Sequence, residues 1–215
     1  LDGIKNNYFA PHWDACQGIR NDKDWQNITG KQGWLHNSPQ RLQEWYNPIV
    51  MSKMFMLHDA SIFNNFNTEF FFWVDAGLTI TVTKDLLTNG ELIEKMVDYA
   101  NPFLFLSFPY ENNDEIHGFK MKPLEEICRT KPKFVCRGGL FGGHKKQISE
   151  ANATYYSLVQ QTLGQGLMGT EETLFMIMAY NNPQVYRRYM LDGNGLIVKF
   201  FGALRDDTVE LEEVD

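Results

Sequence analysis

Apolar positions at helical spacing and short unbroken apolar runs alternate along this chain. Asn47-Pro48 opens a stretch with Ile49, Val50, Met54 and Leu57 near helical spacing. Asn suits a helix cap and Pro the first helical position, so the pattern predicts a helix over about 48–61. After the polar turn FNNFNT comes EFFFWVDAG, whose aromatic run predicts a strand buried on both faces, as in a parallel sheet, ending at Asp75. Helical spacing returns between Gly90 and Ala100 through Leu92, Ile93, Met96 and Val97, and NPFLFLSF reads as a second buried strand.

KFVCRGGLFGG, Lys133 to Gly143, predicts a strand running into a glycine-rich turn. A long helix then follows through Ile148, Ala151, Tyr155, Leu158 and Val159. LGQGLMGT reads as a loop, and Thr170 caps a helix that starts with Glu171 and Glu172 and stops at Asn182-Pro183. GLIVKFF, residues 195–201, predicts a last strand, while residues 1–46, with Gly18, Gly30, Gly33 and Pro39, predict loops and short helices. The alternation argues for an α/β fold with a mainly parallel sheet flanked by helices.

At 215 residues one hydrophobic core suffices, so residues 1–204 are expected to form a single domain, followed by a solvated acidic tail over 205–215. The tail holds six acids and one Arg, which leaves only about −2 of the formal charge of −7 on the rest of the chain. With no Lys/Arg stripe on a predicted face, nucleic acid is not expected as a partner. No apolar run approaches the ~20 residues that span a bilayer, so a soluble chain without a transmembrane segment is expected. Cys16, Cys128 and Cys136 show no pairing or CxxC spacing, which points to a reducing, cytoplasmic location. The sequons at Asn27 and Asn152 leave the secretory pathway open.

Candidate chemistry gathers at three places. In open α/β sheets ligands bind beyond the carboxyl ends of strands, which singles out Asp75, with Ala76 and Gly77 keeping the backbone accessible; the alternative is a turn-forming Asp. Arg137-Gly138-Gly139 with Gly142-Gly143 would bring main-chain amides close to a ligand, or simply turn the chain. Glu171 and Glu172 stand where a general base would, or where acids complement a helix dipole. Lys53 could meet a diphosphate, although such a residue is more often a solvated lysine. The five histidines, His12, His36, His58, His117 and His144, lack metal spacing and read as structural or exposed.

Taken in order, YNPIVMSKMFMLHDA, FFFWVDAG, FVCRGGLFGGHKK and TEETLFMIMAYNNPQVY resemble the HtrL/YibB family of bacterial proteins over roughly Tyr46 to Ile197. That family is grouped with nucleotide-sugar glycosyltransferases of the GT-A fold. The resemblance implies a nucleotide-sugar donor, a glycan or other hydroxyl acceptor, and Asp75 at the first position of the Asp-x-Asp motif that holds a divalent cation. Gly77 stands in place of the second Asp. The resemblance therefore implies either Mg²⁺ or Mn²⁺ held through Asp75, water and the diphosphate, or a metal-independent enzyme. It places Asp75 at the donor site, Gly138 and Gly139 at the floor of the donor-sugar and acceptor site, and Glu171 or Glu172 near the acceptor; Lys53, Ala76 and Gly77 join them as candidate donor-binding residues. It also implies a longer segment ahead of the Asn-Pro helix than the 46 residues here, so that the N-terminal, base-binding strands are expected to be missing. The rival expectations are a catalytically silent GT-A-like domain that binds carbohydrate, and a glycoside hydrolase using Asp75 with a Glu.

Overall fold

The computed structural model describes residues 1–29, 37–110, 114–193 and 195–212. Gly30, Gly33 and His36 lie outside these. A four-stranded sheet is formed by β1 (Phe70–Val74), β2 (Phe103–Pro109), β5 (Phe134–His144) and β6 (Tyr186–Met190), in the order β1-β5-β2-β6. A hairpin of β3 (Glu115–Ile116) and β4 (Phe119–Lys120) stands apart from it. The helices are α1 (Trp13–Arg20), α2 (Lys23–Thr29), α3 (Pro39–Leu42), α4 (Tyr46–Met51), α5 (Lys53–Phe63), α6 (Lys84–Leu87), α7 (Gly90–Tyr99), α8 (Met121–Cys128), α9 (Lys145–Gly164), α10 (Glu171–Asn181) and α11 (Val198–Arg205).

The fold is α/β, but the sheet is mixed rather than mainly parallel. β5 runs antiparallel to both of its neighbours, and only β2 and β6 pair in parallel. Because one reversed strand sits between them, β1, β2 and β6 nevertheless all point the same way, and their carboxyl ends share one edge of the sheet. The expected glycine-rich turn does not form, since β5 continues through it to His144. Gly142 and Gly143 are needed instead for close approach. A Cβ on Gly142 would meet the Phe72 Cα at 2.7 Å, and one on Gly143 the Phe103 Cα at 2.8 Å.

Alternation along β2 fills two cores. Phe103 and Phe105 face a cluster built with α5, α9 and α10, including Met54, Tyr155 and Phe175. Leu104 and Leu106 face a second cluster built with α7 and α11, including Leu92, Met96, Phe200 and Leu204. This is the period-2 pattern of a strand buried on both sides, as NPFLFLSF predicts. β1, expected to be equally buried, is an edge strand whose side chains are only half-buried, with Val74 exposed.

Two elements differ from the sequence pattern. GLIVKFF is not a strand, because Val198–Arg205 is helical: Ile197, Phe200, Phe201 and Leu204 fall at i, i+3, i+4 and i+7 and bury one face against α7. The last strand is β6, YRRYM, whose two arginines hide the pattern; Arg188 lies over the Phe134 ring with its Cζ 3.7 Å from the centroid. The predicted helix 48–61 is broken at Ser52 into α4 and α5, with the Ser52 hydroxyl donating to the Pro48 carbonyl at 2.7 Å. Along the acidic tail, Val209 and Leu211 pack on the second core, Leu211 bridges Tyr189, and the Glu212 amide donates to the Arg188 carbonyl at 2.8 Å.

The N-terminal helices hold the loop ahead of α10. Asn47 is not a cap but a buried connector: it accepts from Arg20 at 3.0 Å and donates to the Gly169 carbonyl at 2.7 Å. The Trp25 indole donates to the Met168 carbonyl at 3.3 Å. Cys16, Cys128 and Cys136 are free and buried. Asn152 sits in the middle of α9 with its Oδ1 buried, and Asn27 is exposed on α2. Among the described residues, no helix is long and apolar enough to cross a membrane.

Candidate functional site at the end of β1

The site grows from an irregularity in β5. Its register against β2 jumps from Phe105–Phe141 to Ser107–Cys136, so Arg137, Gly138, Gly139 and Leu140 face only Leu106 across the pair. A bulge of this kind releases backbone groups from the ladder and re-aims side chains. The released groups turn to β1 and α10. The Gly139 carbonyl accepts from the Asp75 amide at 3.0 Å, one residue beyond the end of β1, and the Gly138 amide donates to Glu172 Oε1 at 2.8 Å.

Lys53, the first residue of α5, reaches into this junction. Its ammonium donates to Asp75 Oδ2 at 2.9 Å and to the Gly138 carbonyl at 3.1 Å, and it forms an ion pair with Glu171 Oε1 at 2.8 Å. Lys53 is therefore buried and committed to acids rather than a solvated lysine. Burial pulls its pKa down, but Glu171 and Asp75 outweigh this and leave it above the ordinary lysine value. Asp75 Oδ1 accepts from the Trp73 indole at 2.6 Å. The Asp75 side chain remains 39% exposed, which leaves one face of the carboxylate open to a ligand.

The two glutamates divide their roles. Thr170 occupies the cap position of α10, its amide donating to Thr173 Oγ1 at 3.1 Å, which fixes the direction of the next two side chains. Glu171 is buried against Lys53, and burial, with Glu172 adding to it and Lys53 opposing, pushes its carboxyl up to about 7. Glu172 stands between Gly138, Arg137 and His117. Arg137 Nη1 is 3.8 Å from Glu172 Oε1, and His117 Nδ1 is 3.3 Å from Glu172 Oε2.

Two clefts meet here. The larger, about 760 Å³, is lined by Tyr46, Phe108, Tyr110 and His117 together with Lys53 and Glu171. The smaller, about 440 Å³, is lined by Ala76, Gly77, Gly139, Gly195 and Ile197. Asp75, Arg137 and Glu172 line both. Arg137 is held in the shared wall by donating its Nε–H to the Gly195 carbonyl at 2.8 Å and by resting on the Phe108 ring, 4.9 Å from its centroid.

The residues expected at a site thus come together, but not all as ligand contacts. Asp75, Ala76, Gly77, Gly139 and Glu172 face clefts. Gly138 is a structural cradle, because a Cβ there would overlap the Glu171 carboxylate. Sequence reasoning missed Tyr46, Phe108, Tyr110 and His117. For His117 a local signal existed: His-Gly between two short strand-forming pairs is a two-residue hairpin loop, and both residues adopt the positive φ, 51° and 89°, that such a turn requires. Burial lowers the His117 pKa, with Glu172 opposing and Arg137 reinforcing, so the ring is favoured as neutral imidazole. Burial pushes the Tyr46 hydroxyl up to about 12, which keeps it a neutral donor.

The Lys53 ammonium takes the place beside Asp75 and Glu171 where a Mg²⁺ or Mn²⁺ ion held by both would have to lie. Among the described residues no group of three or more His, Cys, Asp or Glu is arranged to hold a metal ion. The space between Asp75 Oδ2 and Glu171 Oε1 is filled by the Lys53 ammonium, at distances proper to N–H···O bonds and longer than the ~2.0–2.1 Å of Mg²⁺–oxygen bonds. A divalent ion on Asp75 would also meet that ammonium at close range, a repulsion on the order of several kcal/mol.

The model of a family described as a bacterial protein of unknown function (HtrL_YibB) matches residues 14–205. No curated protein and no solved structure matches the chain.

Proposed function

The chain belongs to the HtrL_YibB family, and we propose that it transfers a sugar from a nucleotide-sugar donor to a hydroxyl acceptor where the two clefts meet. The observation that carries this reading is the shared wall of Asp75, Arg137 and Glu172. A transferase must hold two molecules with their reacting atoms together, which two clefts opening on the same three side chains allow. The common edge of the co-directional strands β1, β2 and β6 is also where open α/β sheets bind ligands, and it supports placing the fold with GT-A enzymes by analogy.

Each residue then takes a role from its surroundings. The smaller cleft, walled by the accessible backbone of Ala76, Gly77 and Gly139, takes the donor diphosphate, with Arg137 neutralising the charge that grows on it as the glycosidic bond breaks. The aromatic side chains of Tyr46, Phe108 and Tyr110 give the larger cleft apolar faces for sugar rings, so the acceptor lies there. Glu172 takes the proton from the acceptor hydroxyl as general base, and Asp75 hydrogen-bonds the donor sugar. Glu171 and Lys53 hold this constellation from behind.

Calorimetric titration of the protein with a panel of nucleoside diphosphates and their sugars tests the proposal. One-to-one binding of at least one nucleotide is expected. Binding of free glycans with no nucleotide bound would instead favour the carbohydrate-binding reading, which the same aromatic walls support.

A further inference from the structure

Lys53 occupies the least favourable place for a lysine in the site, and that calls for a reason. It is buried, and burial disfavours its charged form. Against that cost the fold sets two carboxylates and a carbonyl, all within 3.1 Å of one nitrogen. A set of carboxylate and carbonyl oxygens around one point is the kind of donor set that hard cations take.

We propose that the Lys53 ammonium is the resident cation of this site, standing where a divalent ion would bridge Asp75 and Glu171, so that the protein takes its anionic ligand through Arg137 without a divalent metal. The statement about the ligand rests on the transferase reading; the statement about the cation does not. The contacts are consistent on both sides. Removing Lys53 would leave Asp75 without its ion pair and Glu171 to bind a proton or another cation in its place, and the larger cleft would admit water and a metal ion to that gap. Arg137 by contrast touches neither Asp75 nor Glu171; its acidic neighbour is Glu172 at 3.8 Å, and it lines both clefts, where a phosphate would meet its guanidinium.

The test is a titration of the full chain with Mn²⁺, followed by the loss of the free-ion electron paramagnetic resonance signal and with no nucleotide present. Wild type is expected to bind no Mn²⁺ in an Asp75-dependent way. Lys53→Met, which keeps the length of the side chain and removes its charge, is expected to gain one site that binds at least about tenfold tighter than any in wild type, and to lose it again when Asp75→Asn is added. If Lys53→Met is too unstable to titrate, Mn²⁺ but not KCl of equal ionic strength should raise its melting temperature and leave that of wild type unchanged. A stoichiometric Mn²⁺ site in wild type that Asp75→Asn removes overturns the proposal, as does a folded Lys53→Met that gains none, or an unstable one that Mn²⁺ fails to rescue. A protein that binds no nucleotide but gains this Mn²⁺ site would defeat the transferase reading alone.

Discussion

The Gly138 amide donates to Oε1 of Glu172 at 2.8 Å, joining the bulge of β5 to the first turn of α10 across 34 residues of chain. That bond orients the carboxylate proposed as general base, and it separates orientation from chemistry. Glu172→Gln keeps an oxygen for the Gly138 amide but cannot take a proton. Turnover is expected to fall by roughly 10²–10⁴-fold with donor affinity little changed, as measured by steady-state kinetics beside calorimetry.

Gly138 itself has no room for a side chain, because a Cβ would overlap Glu171, whereas a Cβ on Gly77 would meet nothing within 4 Å. Gly138→Ala is therefore expected to cost about 1–3 kcal/mol through overpacking. Gly77→Ala should leave the thermal transition close to that of wild type. Chemical denaturation of the two variants side by side checks the difference.

The pH dependence of stability follows from Glu171. Its folded pKa lies above the unfolded one because burial disfavours the charged form. Between the unfolded value near 4.5 and the folded value near 7 the native state binds more protons than the unfolded chain, so stability falls as pH rises through that window and levels off above it. The decline attributable to this group is on the order of 3 kcal/mol, and Glu171→Gln should flatten it. Denaturant midpoints taken at pH 5, 6, 7 and 8 read the effect directly.

Arg137 is held by Gly195 and Phe108 and lines both clefts. Its loss removes charge-assisted hydrogen bonds worth about 1.5–3 kcal/mol. Arg137→Met is expected to weaken nucleoside diphosphate binding by roughly 10–150-fold, and to reduce the salt dependence of what remains.

Much of this arrangement is legible in the sequence where burial imposes a period. NPFLFLSF reads as a buried strand, Gly90 to Ala100 as a helix through Leu92, Ile93, Met96 and Val97, of which Leu92 and Met96 are buried, and Thr170 as the cap ahead of Glu171 and Glu172. What escapes is decided across space. Nothing in KFVCRGGLFGG says that the strand runs antiparallel between β1 and β2, because Gly142 and Gly143 answer to the backbones of Phe72 and Phe103. GLIVKFF is too short an apolar run to separate a strand from a helix until α7 supplies the surface that Phe200 and Leu204 cover. YRRYM becomes a strand because β2 offers it an edge. In the site, Asp75 announces itself by ending an apolar strand, whereas the burial of Lys53 depends on Asp75 and Glu171, 22 and 118 residues away in the chain.

On the transferase reading Asp75 belongs to a donor site and not merely to the turn after β1. The most direct measurement is calorimetric titration of wild type and Asp75→Asn with the nucleotide sugar that binds best, beside their melting curves. One-to-one binding to wild type that disappears in Asp75→Asn, with the thermal transition nearly unchanged, is the result predicted. Undiminished binding by a folded Asp75→Asn, or no binding of any nucleotide sugar by a folded wild type, would rule out a donor site at Asp75.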